Sequence, residues 1–222
     1  MAISRTQGKE AQQERGLALR GAWDMDDVLI VMKSAVLRRA DDMYGISAQL
    51  GRQVTLDDIT EYRIQDNFKD LVTTEQIRFV IEEYYRSPER IEPSHPKLSS
   101  IVESNAAFAT LDVVSASIAS DGTIPRILES LAISTHFERI IQVGGSSEKA
   151  KLPGYDFCVE DHGGVAVDFA SSGRLAILVR RPWNYKVQKI AEETPGSRIL
   201  LVEDVSQAES ALLANLGRMK RG

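Results

Sequence analysis

The chain has one cysteine, Cys158, in 222 residues, so an intramolecular disulfide is impossible and cysteine usage offers no sign of an oxidising compartment. No apolar run approaches the roughly 20 residues that a membrane-spanning helix needs. The opening stretch, Met1 to Leu19, mixes Gln, Lys, Glu and Arg and lacks the apolar core of a secretory signal. The expectations are a loose tail over residues 1–18, no membrane association and a cytoplasmic location. An excess of positive charge is also missing: 27 Lys and Arg stand against 32 Asp and Glu, for a formal net charge of -5. Binding polymeric nucleic acid rests largely on neutralising phosphates, so that class of partner is not expected, whereas a small phosphate ester needs only one local positive site. Repeats and low-complexity blocks are absent, which excludes solenoids and arrays.

What is present suits a globular chain. A hydrophobic fraction of 43% with 27% charged residues is ordinary globular usage and rules against a disordered or fibrous chain. From Leu17 to Val31 the sequence passes from a polar tail into Leu-Ala-Leu-Arg-Gly-Ala-Trp, then Asp-Met-Asp-Asp, then Val-Leu-Ile-Val. An apolar run ending in clustered carboxylates reads as a buried strand that delivers acids to its C-terminal end. Further short apolar runs occur at 112–115, 139–143, 156–159, 175–179 and 198–202, alternating with helical patterns at 124–133, 163–170, 184–193 and 205–216. This alternation predicts an α/β fold, a Rossmann-like three-layer core with a parallel sheet covered on both faces.

Residues 32–107 break the alternation. Helical patterns at 34–44, 56–62, 74–85 and 96–107 follow one another with no convincing strand, which predicts a helical cap inserted after the first strand, the core being 19–31 and 108–222. Thr74, followed by Glu75, Gln76 and the periodic Ile77, Val80 and Ile81, reads as the N-cap of an amphipathic helix. The proline-rich stretch from Ser87 to Pro96 reads as a hinge or connecting loop.

The chemistry concentrates in Trp23-Asp24-Met25-Asp26-Asp27-Val28. Two carboxylates two residues apart can serve one reaction, Asp24 attacking phosphorus while Asp26 protonates the departing oxygen. A phosphate monoester repels a carboxylate unless a cation lies between them, and Mg2+, a hard ion that takes oxygen ligands and substrate phosphate, fits that need. Aspartates after a strand also form turns and cap helices, so this stretch alone leaves both readings open.

Later segments, in order, resemble the motifs of the haloacid dehalogenase superfamily of phosphatases. Its first motif, Asp-x-Asp after a strand, matches Asp24-Met25-Asp26, with Asp27 in place of the usual glycine. Its second, a strand ending in a hydroxyl residue that binds phosphate, matches Leu111 to Ser115. Its third is a lysine that neutralises phosphate, for which Lys149 and Lys151 are the candidates. Its fourth, a strand ending in acids, matches Asp156 to Asp161. The resemblance implies that Asp161 ligates Mg2+ beside Asp24 and the backbone carbonyl of Asp26, with Glu160 a second ligand or a partner of one. Arg181-Pro182-Trp183-Asn184 resembles a stretch of the 5'(3')-deoxyribonucleotidase-like branch, though it equally reads as a proline turn with Asn184 capping the next helix.

The function so implied is Mg2+-dependent hydrolysis of a small phosphorylated metabolite, a nucleoside monophosphate being one candidate, through an aspartyl-phosphate. A dehalogenase is disfavoured, because a halide leaves without a proton and has no use for Asp26. A phosphomutase and a non-catalytic phospho-ligand binding protein are the alternatives. Tyr44, Tyr62, Phe68, Phe79, Tyr84 and Tyr85 are candidates for a base-stacking platform, although aromatics at helical spacing also build cores. His162, next to the acids, reads as a loop residue or as a contact to substrate or metal.

Overall fold

The structure, a computed structural model, describes residues 19–219; the expected tail at 1–18 lies outside them. Its centre is a sheet of six parallel strands: β1 (Leu19–Trp23), β2 (Ala109–Ser115), β3 (Phe137–Gln142), β4 (Phe157–Glu160), β5 (Leu175–Val179) and β6 (Ile199–Val202). Their order across the sheet is β3-β2-β1-β4-β5-β6, the doubly wound arrangement in which the chain reverses direction across the sheet next to β1.

The inner strands are buried on both sides because helices cover both faces, with side chains alternating between them; the edge strand β3 is largely exposed. Trp23, Val113, Phe157, Val159 and Ile177 face one core. Ala22, Val114, Cys158, Ala176 and Leu178 face the other, so the lone cysteine is a core side chain. The helices are α1 (Lys33–Tyr44), α2 (Ile46–Leu50), α3 (Ile64–Asn67), α4 (Thr74–Tyr85), α5 (Leu98–Ala106), α6 (Thr123–Ser130), α7 (Ser146–Lys149), α8 (Gly163–Ser171), α9 (Tyr185–Glu193) and α10 (Ala208–Met219). Residues of α5, α6 and α10 pack on the first face, and residues of α8 and α9 on the second. None of the described helices is long and apolar enough to cross a membrane.

One close approach ties β1 to β4. A Cβ added at Gly21 would sit 2.2 Å from the ring of Phe157, so the absence of a side chain at Gly21 makes room for that ring beneath the site.

The helical insertion follows β1 and stands on the same apolar core as the first face of the sheet. Helices α1 and α4 pack on each other. Helix α4 is capped by Thr73 and not Thr74: Gln76 N–H donates to Thr73 Oγ1 at 3.2 Å, and Thr73 N–H donates to Gln76 Oε1 at 2.8 Å. The reciprocal bond needs a Gln or Glu three residues after the cap, and Gln76 answers only to Thr73. The helix expected at 56–62 is only a 3-10 turn, Leu56–Asp58. Asn67 takes its place as organiser, its Oδ1 accepting the N–H groups of Thr60 and Glu61, both at 2.8 Å, and such local side-chain bonds compete with helix. Helix α5, placed by sequence at the end of the insertion, packs instead on β2 and α10 along the flank of the sheet. The stretch from Ser87 to Pro96 holds a 3-10 turn, Pro88–Arg90, and a bridge from Pro93 to Ile30.

Candidate active site

Asp24 continues β1 by one residue, its N–H donating to Val159 O at 3.0 Å. That bond sets it beside Glu160 and Asp161 at the carboxyl ends of adjacent strands β1 and β4, where open parallel sheets hold their ligands. Asp24, Glu160 and Asp161 are buried, and one oxygen from each lies within 4.8 Å of the others.

Lys149, at the end of α7, is the cation among them. Its Nζ is 2.7 Å from Asp24 Oδ1 and 2.9 Å from Glu160 Oε1. Burial disfavours the ammonium, but the two carboxylates outweigh it and hold the group above the ordinary lysine range. Lys151 does not join it: it is exposed in the turn beyond α7, because residues two apart on a helical turn face different ways. Of the two candidate lysines, Lys149 alone enters the site.

Asp161 is held from three sides. Its Oδ2 accepts from Lys33 Nζ at 3.1 Å and from Trp183 Nε1 at 2.9 Å, and its carbonyl accepts from Asn184 Nδ2 at 2.8 Å. Burial pushes its carboxyl up, but the ammonium groups of Lys33 and Lys149 prevail and hold it below the usual range. Asp161 Oδ1 is buried with no hydrogen-bond partner among the described residues. Glu160, by contrast, is held up by burial and by Asp24, against the pull of Lys149.

Five carboxylates, Asp24, Asp26, Asp27, Glu160 and Asp161, are buried here with two ammonium groups, Lys33 and Lys149. Buried charge is costly unless it is paired, and a cluster rich in oxygen donors with one orphaned carboxylate oxygen fits a hard divalent cation. Asp24 and Asp161 are the side chains best placed to hold one: Lys149 and Met25 N–H both take Asp24 through Oδ1, Asp161 keeps Oδ1 unpartnered among the described residues, and Glu160 is engaged at both oxygens, by Lys149 and by His162 N–H at 3.4 Å.

Asp26 stands apart from that cluster. Tyr85, the last residue of α4, donates its hydroxyl to Asp26 Oδ1 at 2.5 Å. Burial, then the charge of Asp24, raises the Asp26 carboxyl to about 7, with the Tyr85 bond acting against them. Sequence reading had seen Tyr85 only as a stacking candidate, because its partner lies 59 positions away.

Asp27, the departure from glycine, keeps the backbone that glycine would supply, with φ at +57°. Aspartate tolerates this region when its side chain bonds locally, and Asp27 Oδ1 accepts the N–H groups of Met32 at 3.1 Å and Lys33 at 3.0 Å. Its Oδ2 meets Lys33 Nζ at 3.2 Å. Lys33, which the sequence had not marked, also lies 4.1 Å from the ring centres of both Tyr62 and Trp183, a desolvated cation–π setting.

The Arg181 to Asn184 stretch supports these groups from below. Arg181 Nη2 donates to Asp27 O at 2.9 Å. Asn184 does not cap α9 through its side chain; its amide donates to Asp161 O and to Val179 O. His162 caps α8, its Nδ1 accepting Val165 N–H at 3.3 Å, and its ring meets Tyr62 edge-on at 4.0 Å. Ser115 ends β2 fully buried, its Oγ accepting Ser117 N–H at 3.1 Å. A cavity of about 170 Å³ opens above Asp24, Asp26 and Lys149, and the hydroxyl residues on its wall are Ser117, Ser146, Tyr62 and Tyr85. Of the six aromatic candidates, only Tyr62 and Tyr85 reach this wall; Phe68 is in the core and Phe79 is exposed.

No protein-family model matches the chain, and no curated protein matches it in sequence. Solved structures do match it. A predicted phosphoglycolate phosphatase from Haemophilus somnus is 12% identical with a TM-score of 0.56, over 94% of this chain and 99% of the other. A HAD-hydrolase from Bacillus subtilis bound to magnesium is 11% identical with a TM-score of 0.54, over 88% and 99%. L-2-haloacid dehalogenase from Xanthobacter autotrophicus is 9% identical with a TM-score of 0.51, over 90% and 100%. None of these likenesses singles out the deoxyribonucleotidase-like branch. At such identities what is shared is architecture: the chain has the fold of the haloacid dehalogenase-like hydrolases, a Rossmann-like core with a helical insertion after its first strand.

Proposed function

We propose that the protein is a phosphomonoester hydrolase that works through an aspartyl-phosphate on Asp24. The observation that carries this reading is Asp26, a carboxyl held near neutrality two residues from Asp24 and steadied by Tyr85. An acid with that proton affinity suits protonation of an alkoxide, and a dehalogenase would have no use for it.

In the first step a carboxylate oxygen of Asp24 bonds to phosphorus as the bond from phosphorus to the ester oxygen breaks. Asp26 gives its proton to that oxygen, and the alcohol leaves. In the second step Asp26, now a carboxylate, takes a proton from water; the oxygen of that water attacks phosphorus, and Asp24 is released with inorganic phosphate. Asp24 Oδ1 is oriented for this by Lys149 Nζ and by Met25 N–H at 2.7 Å. Lys149 also neutralises charge spreading over the phosphoryl oxygens. Asp24 and Asp161 would hold a Mg2+ ion, which would supply charge neutralisation for the phosphoryl group; Lys33 and Trp183 keep Asp161 turned for that duty.

The test is phosphate release from a panel of small phosphate esters and nucleoside monophosphates, with Mg2+ and with chelator. Release that needs Mg2+ and disappears in Asp24→Asn supports the reading. Undiminished release in that variant overturns it.

A further inference from the structure

The Asp26 carboxyl depends on fewer bonds than its neighbours. Asp24 is held through Oδ1 by Lys149 Nζ and Met25 N–H, Glu160 by Lys149 and His162 N–H, and Asp161 through Oδ2 by Lys33 and Trp183. Among the described residues, the Tyr85 hydroxyl is the one group that hydrogen-bonds to the Asp26 carboxyl, and it takes Oδ1. Both residues are buried, and both line the cavity.

The place of that hydroxyl is set by the insertion and not by Asp26. Tyr85 ends α4, and its neighbour Tyr84 ties that helix end to the stretch that follows β1: Tyr84 Oη donates to Val31 O at 2.9 Å, and the two phenol rings meet edge-on at 5.4 Å. The chain leaving the insertion is stitched to the chain entering it, Val31 N–H donating to Glu92 O at 3.0 Å and Ser94 N–H to Leu29 O at 2.9 Å.

We infer, on the hydrolase reading above, that Tyr85 is a positioning residue: carried by the insertion, it holds Asp26 by Oδ1 so that Oδ2 meets the departing ester oxygen. A carboxylic acid has one O–H, and the oxygen that accepts the phenol is the one without it. The proton is thereby kept on Oδ2, which gives it to the ester oxygen in the first step and takes one from water in the second. Without the phenol the carboxyl turns about its last side-chain torsion, which has broad wells, and Oδ2 faces the reacting oxygen for only part of the time. Loss of orientation slows a step in which that group reacts. It leaves untouched a step whose leaving group needs no proton.

The experiment follows phosphoenzyme formation in the full chain with Mg2+, from propyl phosphate and from acetyl phosphate, in the wild type, Tyr85→Phe and Tyr84→Phe. Tyr85→Phe removes one oxygen and keeps the ring. In it, formation from propyl phosphate slows about 10- to 100-fold, a part of what a well-placed acid contributes, and KM for propyl phosphate stays within about twofold. Formation from acetyl phosphate stays within about threefold of the wild type. Tyr84→Phe removes a hydroxyl from the same helix end without touching Asp26, and it changes the two rates by the same factor. A loss in Tyr85→Phe that is equal for both compounds, or no loss for propyl phosphate, overturns the positioning role and leaves the nucleophile standing. A propyl-selective loss in Tyr84→Phe as large as that in Tyr85→Phe also overturns it, since the seating of the helix would then be the cause. A wild type that reacts with acetyl phosphate alone overturns it too, because Asp26 then works as no acid. No phosphoenzyme and no phosphate from either compound overturns the hydrolase reading and this inference together.

Discussion

Lys33 Nζ lies 3.1 Å from Asp161 Oδ2 and 3.2 Å from Asp27 Oδ2, so the first residue of the insertion's first helix is bonded to the acid at the end of β4. All three groups are buried, and Lys33 is held charged against burial by the two carboxylates, Asp161 foremost.

Lys33→Met removes one partner from a buried ionic group and leaves two carboxylates unpaired. The expected cost is about 3–5 kcal/mol, read from urea unfolding. Because a divalent cation can restore part of the lost positive charge, Mg2+ raises the unfolding midpoint of the variant more than that of the wild type. Equal Mg2+ effects would show that Lys33 and the cation act on separate groups.

Asp24→Asn keeps the shape of the site but loses the nucleophile. Turnover falls on the order of 10⁴-fold or more, the scale seen when a covalent nucleophile is removed. The fold, followed by circular dichroism, is unchanged.

Asp26→Asn cannot protonate an alkoxide. Phosphoenzyme formation from an alkyl phosphate is lost, while formation from an acyl phosphate, whose leaving group needs no proton, persists as a burst of about one equivalent. Equal loss of both bursts would remove Asp26 from the acid role.

Asp112 gives a pH prediction away from the site. It is fully buried and accepts from Arg20 Nε at 2.8 Å, Arg139 Nη2 at 2.7 Å and Tyr155 Oη at 2.7 Å. Burial pushes its carboxyl up, but these bonds, Arg20 first, prevail and hold it below the ordinary 3.8. A carboxyl depressed on folding contributes stability above its unfolded value and loses it as pH falls through the folded one. Stability therefore drops below about pH 3.8, and Asp112→Asn, which removes a charged acceptor at a cost of about 1.5–3 kcal/mol, is less sensitive to acid there. The measurement is thermal unfolding from pH 2 to pH 6.

Gly21→Ala sets a methyl group into the ring of Phe157. Overpacking of this kind costs about 1–3 kcal/mol. Adding Phe157→Leu makes room, so the double variant is more stable than the sum of the two single changes, a non-additivity expected of residues in contact. Simple additivity would mean that β1 and β4 adjust without strain.

Legibility in the sequence followed the range of the forces involved. Strand β5 was read to its exact ends at 175–179, and α4 to its own at 74–85, because apolar runs and helical periodicity are local signals. The helix expected at 56–62 failed where Asn67 closes a loop with side-chain bonds that periodicity does not register. Asp24 and Asp26 were marked by their spacing together with the resemblance that the later segments carry, and Lys149 was one of two lysines two residues apart, a choice made only by which of them turns inward. Lys33 was beyond sequence reasoning as part of the site, and Tyr85 and Trp183 were marked without their partners, since Lys33, Tyr85 and Trp183 meet their acids across 128, 59 and 22 positions respectively.

By itself the sequence determined the α/β alternation, the delivery of acids to the ends of two strands, and the presence of a helical insertion, all of which follow from the local pattern of apolar and acidic residues. Only the tertiary structure decided how those acids differ. Folding buries Asp26 beside Asp24, which raises its carboxyl to about 7 against the pull of the Tyr85 phenol that α4 brings to it, while α1 brings the Lys33 ammonium to Asp161 and keeps that acid charged, with Oδ1 unpartnered among the described residues. A carboxyl's proton affinity depends on what surrounds it in space, and for chemically identical side chains the chain contains that information only once it has folded.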